Sequence, residues 1–447
     1  VAPQAPEVRD SRIDELLDGG TFMPYRSAVG DGVTAGSGRV GGRRIFVWAQ
    51  DSSHRGGSLG RAGGETVART IRRAAGAGAP IIGLAASAGA RLQEGTGALT
   101  AYAEIFRAQA LADVPQLTLV TGTCAGGAAY STSLGDFTMT VGTDARLFLT
   151  GPGVVREVTR EEVDGGALGG PHVHARNGVA HLHAGDMIEA SALGRELISY
   201  LPDRVGAPLP LAPPREPRSG DPSAPVPAAS RRVYDIRDVI ARVADGGRLL
   251  ELGPRWARNI VVGFARLDGM PVGVIANQPH YLGGTIDTAA AEKGAWFVRL
   301  CERFRLPLAV FVDTPGFLPG VGQERQGVIR HGAGLLEAFA VATVPRVTVT
   351  LRQAYGGAHI VMNSRDLGAD LTLAWPGAAI GVMGPRQAVG VIERRSIEAG
   401  ADPDELAARY GAQHLDSAIA ASKGYVDEIV EPVETRSRLI EAMDGAR

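Results

Sequence analysis

Two stretches of this chain end in the same arrangement of glycines. Val114–Ala128 reads VPQLTLVTGTCAGGA and Val344–Ala358 reads VPRVTVTLRQAYGGA. Val114, Pro115, Thr118, Gly126, Gly127 and Ala128 recur as Val344, Pro345, Thr348, Gly356, Gly357 and Ala358, every pair separated by 230 positions. Each stretch starts as an apolar run and closes on Gly-Gly-Ala, the pattern of a buried strand, a tight turn and a small-residue helix start. Backbone N–H groups at such a turn point at whatever lies above them, so each could stabilise an anion without any side chain. Close helix packing would also ask for glycine. The repeated dipeptide with the same small follower favours two oxyanion pockets.

Other residues compete for a chemical role. Gly122-Thr123-Cys124-Ala125-Gly126 has the spacing of a nucleophile elbow with cysteine as the nucleophile. The twin turn, however, has Ala354 where Cys124 stands, and a lone cysteine is more often a packed one. Asp313-Thr314-Pro315-Gly316 resembles the magnesium side of a GTPase, but no G-x-x-x-x-G-K-[ST] phosphate loop accompanies it. His172, His174, His181 and His183 form the only histidine cluster, without a cysteine or close carboxylate to complete a ligand set, so no metal site is expected. Asp313 and Glu94 have the right chemistry for an acid and a base, although nothing in their spacing requires them to meet.

The elements that position these turns are themselves duplicated. At a shift of 227 positions Gly19-Gly20 falls on Gly246-Gly247, Gly42 on Gly269, Gly56-Gly57 on Gly283-Gly284, Glu65 on Glu292, Arg72 on Arg299, Pro80 on Pro307 and Gly89 on Gly316. A three-residue insertion then accounts for the later interval. Glycine, proline and charged positions kept in one register indicate an internal repeat. Between the copies, Pro202–Pro227 holds nine prolines and reads as an extended linker, taken as 201–230. Two homologous α/β domains follow, at 12–200 and 231–447, each alternating strands with helices and so expected to build a parallel sheet. Each has two glycine-rich strand exits: ASAGARLQEG and CAGGAAYS in the first, DTPGFLPG and AYGGAHIV in the second. In parallel α/β sheets both exits lie at the carboxyl ends of strands, where ligands bind.

Composition narrows the function class. A formal charge of -2 provides no field to recruit nucleic acid or an anionic membrane. No run of about 18 apolar residues occurs, and the stretch VAPQAPEVRDSR has no apolar leader character. The only cysteines, Cys124 and Cys301, cannot build a disulfide framework and suit a reducing compartment, so a cytoplasmic location is expected.

The ordered motifs GGSLG (56–60), SAGARLQEG (87–95), GTCAGGAAY (122–130), ANQP (276–279), DTPGFLPG (313–320), RHGA (330–333), RQAYGGA (352–358) and AWPGAAIGVMG (374–384) resemble those of the carboxyltransferase β subunits of biotin-dependent acyl-CoA carboxylases, of the propionyl-CoA and acetyl-CoA type. The resemblance implies two crotonase-like domains, a ring-shaped homohexamer, and an active site where the first domain of one subunit faces the second of another. It implies an acyl-CoA substrate on the first domain and carboxybiotin on the second. The biotin arrives on a biotin carboxyl carrier partner served by a biotin carboxylase, since neither Lys293 nor Lys423 sits in a biotin-acceptor motif.

By the same resemblance Gly126 and Gly127 hold one oxyanion, the enolate, and Gly357 and Ala358 the other, the ureido oxygen. Ser87, Gly89, Ala90, Arg91, Gly283, Gly284 and Ile360 line the acyl-CoA, and Gly316, Phe317, Tyr355 and Gly356 the biotin. CO2 released from carboxybiotin is attacked by the enolate of the thioester, giving a malonyl-type product; the reverse, decarboxylation, uses the same parts. The chain departs from the family pattern at Ala86 and Ala88, where Asp and Gly are usual, and at Ile360, where Asp is common. An apolar Ile360 would favour an acyl group other than propionyl.

Overall fold

The computed structural model describes residues 10–229 and 232–445. The stretch before Asp10, read above as lacking a leader, lies outside the described residues, as do Ser230 and Arg231 at the end of the proline-rich stretch. The chain divides into two units, Val1–Pro208 and Leu209–Arg447.

In the first unit the apolar runs form β1 (Met23–Tyr25), β2 (Val33–Val40), β3 (Arg43–Gln50), β4 (Ile81–Ser87), β5 (Gln116–Ala125), β6 (Phe137–Val141), β7 (Arg146–Phe148) and β8 (Leu182–Ala184). The sheet order is β1-β2-β3-β4-β5-β6-β8, with β7 paired to β5. β2 and β3 form an antiparallel hairpin, while β3 to β6 run parallel through crossover helices Arg61–Ala77 and Thr96–Leu111. All seven residues of β4 are buried, as a strand covered on both faces requires.

The second unit repeats this plan. Its strands are β9 (Leu250–Glu251), β10 (Ile260–Leu267), β11 (Met270–Asn277), β12 (Leu308–Thr314), β13 (Arg346–Tyr355), β14 (Leu371–Ala374), β15 (Ala379–Gly381) and β16 (Glu428–Ile429). They are ordered β16-β14-β13-β12-β11-β10-β9, with β15 paired to β13. The crossover helices are Thr288–Phe304 and Val328–Val341. The intervals of 227 and 230 positions thus connect equivalent elements. The proline-rich stretch is divided between the units: Val205 N–H donates to Asp113 O (2.7 Å), whereas Ala212 and Arg218 donate to Gly269 O (3.0 Å) and Ala241 O (2.9 Å).

One irregularity aims the site. β5 pairs with β6 over Leu117–Val120 and with β7 over Thr123–Ala125. β13 likewise pairs with β14 over Val347–Thr350 and with β15 over Gln353–Tyr355. Each long strand changes partner before it ends, and each is followed by a glycine at φ 58, Gly126 or Gly356. That left-handed backbone disfavours any residue with a Cβ.

Candidate active site

In the first unit the chain leaves β5 through Gly126 into the helix Gly127–Leu134. The Gly126 N–H is already committed, donating to Phe148 O (3.1 Å), and Ala129 and Tyr130 N–H both donate back to Gly126 O. The expectation that Gly126 supplies a donor is therefore corrected. The N–H groups of Gly127 and Ala128, at the first turn of the helix, have no intrahelical acceptor and are the available pair. Gly127 has a second reason to lack a side chain, since a Cβ would stand 2.7 Å from the Tyr102 ring.

The SAGAR loop lies beside this turn: a Cβ on Gly89 would come 3.0 Å from Ala125 O. Ser87 and Tyr102 hydroxyls are 3.2 Å apart, and Gly89 N–H donates to Ser87 Oγ (3.2 Å). Burial pushes the Tyr102 phenol up to about 12, so it stays neutral and can donate. Ala90 forms a parallel bridge to Leu59. Arg91, expected to touch substrate, is instead 3% exposed. Its guanidinium pairs with Asp31, with Glu94 (2.8 Å) and with Ser58 O (2.7 Å), so it fastens the loop and is not presented to a ligand. Cys124 is fully buried and its thiol is pushed up to about 12, which removes the nucleophile the elbow reading needs.

The second unit builds the equivalent turn from the helix Gly356–Val361, whose first-turn N–H groups include Gly357 and Ala358. Here the packing is looser: a Cβ on Gly357 would meet the Phe317 ring at an ordinary 3.6 Å. Phe317 is bridged to Ile286, and Gly316 and Gly320 have open space where a Cβ would be. A cleft of about 650 Å³ opens on this turn, bordered by Gly356, Gly357, Ile360, Val382, Tyr410 and Tyr425. Ile360 is 47% exposed on its wall. Tyr355 is buried, and burial raises its phenol.

Beneath the turn, the buried Asp313 carboxylate accepts from Tyr234 Oη (2.8 Å) and ion-pairs with Arg352 (3.1 Å). Burial raises its carboxyl, opposed by Arg352 and Tyr234. Neither Asp313 nor Glu94 is placed as a free acid or base, because Glu94 is held by Arg91 and by Arg61 N–H (2.7 Å). Three of the four histidines are engaged separately: His174 bonds Leu147 O, His181 accepts from Thr138 N–H and His183 meets the Thr140 hydroxyl.

A family model described as carboxyl transferase domain matches residues 11–446. The chain belongs to this carboxyltransferase family. It is 45% identical to a propionyl-CoA carboxylase carboxyltransferase subunit of Haloferax mediterranei, over 96% of this chain and 88% of that one. It is 43% identical to a propionyl-CoA carboxylase beta chain of Saccharopolyspora erythraea, over 97% and 86%. Among solved structures, transcarboxylase 12S, described as a hexamer with methylmalonyl-coenzyme A bound, superposes with a TM-score of 0.92 at 38% identity, covering 98% of this chain and 89% of that one. The resemblance read from the motifs is confirmed, and with it an enzyme of duplicated crotonase-like fold.

The glycine pairs aligned by the repeat, Gly56-Gly57 and Gly283-Gly284, lie in matched left-handed turns whose first residues, Arg55 and Leu282, the motifs did not single out. Arg55, Gly56 and Gly57 have φ 52, 65 and 68, and Leu282, Gly283 and Gly284 have φ 50, 63 and 77. Gly57 and Gly284 must be glycine, since a Cβ would stand 2.0 Å from Ala86 O and 2.5 Å from Asp313 O. Gly284 thus seats the turn against β12, its N–H donating to Tyr281 O (3.0 Å) within the turn, while Gly283 has open space where a Cβ would be. The doubled Gly-Gly before each crossover helix was the available signal.

Proposed function

We propose that this chain moves a carboxyl group from carboxybiotin, borne on a separate carrier protein, to the α-carbon of an acyl-CoA, giving a malonyl-type thioester such as methylmalonyl-CoA. The observation that carries the reading is the matched pair of turns with φ 58 at Gly126 and Gly356 in a chain of this family. Each presents two backbone donors where charge develops.

The second unit has room for the biotin ring: an open cleft beside Gly357, and Gly316 and Gly320 without obstruction. When bound, carboxybiotin supplies the carboxyl group and, once it has given that up, the base. Gly357 and Ala358 N–H hold the charge at the ureido oxygen, with Phe317 and Tyr355 bounding the ring. Gly127 and Ala128 N–H hold the charge at the thioester oxygen, while Ser87, Gly89 and Ala90 border the acyl chain. Preorganised donors of this kind need no reorientation as charge forms, and losing one typically costs on the order of 10²–10³ in rate. Ile360, half-exposed beside the second-unit turn, meets the acyl group where the thioester faces the biotin, and its apolar surface sets the acyl preference.

The working assembly is a homo-oligomer, by the hexamer of the transcarboxylase relative, served by a biotin carboxylase and carrier subunit. That relative also supports a second direction, withdrawal of the carboxyl group from a methylmalonyl-type thioester by the same half-sites.

Incubating the chain with a carboxylated biotin carrier and a panel of acetyl-, propionyl- and longer acyl-CoAs tests the proposal. Carboxylated thioester is expected, with a changed acyl preference in Ile360→Asp. No product from any thioester, in either direction, would falsify it.

A further inference from the structure

The duplication provides an internal comparison for the left-handed turns. Both are closed alike, by Gly57 N–H to His54 O (2.9 Å) and Ser58 N–H to Arg55 O (3.1 Å), and by Gly284 N–H to Tyr281 O (3.0 Å) and Thr285 N–H to Leu282 O (3.2 Å). Both begin with a residue other than glycine, at φ 52 and φ 50, a conformation that costs about 1–2 kcal/mol in a side-chain-bearing residue. The side chains differ. Arg55 stands in the first unit where Leu282 stands in the second, and Arg61, which opens the helix Arg61–Ala77, matches Thr288, which opens Thr288–Phe304.

Thr288 is satisfied internally, its N–H and hydroxyl both donating to Gln323 Oε1 (2.9 and 3.0 Å). Arg55 and Arg61 are exposed, and neither guanidinium has a partner among the described residues. The carboxylates nearby are already engaged: Asp31 and Glu94 with Arg91, and Asp51 with Ser53. The two arginines, their guanidinium donors unused, flank in sequence the segment 56–60 whose backbone bonds to the SAGAR loop. Ala88 N–H donates to Gly56 O (3.0 Å) and Leu59 N–H to Gly89 O (2.8 Å), while Gly89 adjoins the donor turn.

We propose that Arg55 and Arg61 form a phosphate-binding rim on the first unit, which takes the phosphates of the nucleotide end of a CoA thioester. The inference rests on the reading that the first unit takes the acyl-CoA. It explains why the basic pair occurs in one copy of the repeat only, since a biotin ring carries no phosphate. Arginine suits the task because its planar fork matches phosphate oxygens and its charge persists at any working pH.

The test is direct binding by the full chain of two probes that share the pantetheine arm, CoA and phosphate-free pantetheine, with Arg55→Leu, Arg61→Thr and the double variant taken from the other copy. The double variant is expected to weaken CoA by roughly tenfold or more, the worth of one charge-assisted hydrogen bond, and to flatten the salt dependence of CoA binding. Pantetheine should bind as before. Arg55→Gly relieves the backbone and should raise the melting temperature while weakening CoA as Arg55→Leu does, which separates binding from folding. Unchanged CoA affinity in the double variant, equal weakening of pantetheine, or no CoA binding by the unaltered chain overturns the rim. A chain that carboxylates acyl-CoA but shows no such loss retains its proposed activity without the rim. Loss of CoA affinity in a chain that carboxylates nothing leaves the rim and removes the activity.

Discussion

At the scale of single residues, the two donor turns differ in how tightly the protein packs against them. A Cβ on Gly127 would press on Tyr102 at 2.7 Å, whereas a Cβ on Gly357 would rest against Phe317 at 3.6 Å. Gly127→Ala is accordingly expected to lose about 1–3 kcal/mol of stability through overpacking. Gly357→Ala should melt like the unaltered chain yet lose roughly 10²–10³ in kcat, because its methyl group stands beside the donors. Thermal melts with steady-state carboxyl transfer check both; a fully active Gly357→Ala would remove that turn from the mechanism. The turns themselves were legible in the sequence, since a doubled Gly-Gly-Ala after an apolar run admits few other conformations. The register of the donors was not. It depends on Phe148 O capturing the Gly126 N–H, a contact made only once β7 is in place. Arg91 was misread for the same reason, its partner Asp31 being distant in sequence.

At the scale of elements, the ends of β4 and β12 hold equivalent positions with opposite chemistry. Asp313 pairs with Arg352 under the second turn, and the matching residues of the first unit are Ala86 and Gly122, whose contact is so close that a Cβ on Gly122 would reach Ala86 Cβ at 3.1 Å. One copy uses a buried ion pair where the other uses close small-residue packing. Asp313→Ala alone should cost about 1–3 kcal/mol, because Tyr234 Oη loses its buried acceptor while Arg352 keeps the carbonyls of Pro227, Ala229 and Arg232. Arg352→Gly added to it should cost less than the sum of the two single changes, with a coupling of about 0.5–3 kcal/mol. Urea unfolding of the four proteins measures this, and strict additivity would show that the pair does not act as a unit.

The residue that leads into β8 carries a separate prediction. His181 accepts from Thr138 N–H through a neutral ring nitrogen, and burial pushes its imidazole from 6.5 down to about 4. Between those values the unfolded chain binds the extra proton, so stability is present above pH 6.5 and is lost as pH falls towards 4, by roughly 3 kcal/mol. Melts at pH 7 and pH 5 should differ less in His181→Asn. The strands and crossover helices were readable from apolar periodicity and glycine punctuation. The change of partner along β5 and β13 was not, because each reads as one unbroken strand between Pro115 or Pro345 and its Gly-Gly turn.

At the scale of the whole molecule, the repeat predicts two cores, and the buried clusters bear on that directly. One gathers residues from Ala35 to Leu147, the other residues from Tyr234 to Met443. Each unit lies above the size at which a single core sustains a domain, about 100–150 residues. Divided between Pro208 and Leu209, each half should therefore be soluble and unfold cooperatively. The place of the division matters more than the prolines suggest. Ala212 and Arg218 bond to Gly269 and Ala241, Arg266 donates to Pro210 O (2.7 Å), and Val226 packs against the second core. A second half beginning at Leu209 should thus melt higher than one beginning at Arg232, although both retain every strand of the sheet. Equal melting of the two would mean that 209–229 is a tether, as proline content alone implies. A difference would mean that proline here fixes an extended segment which the second sheet uses as part of its covering layer.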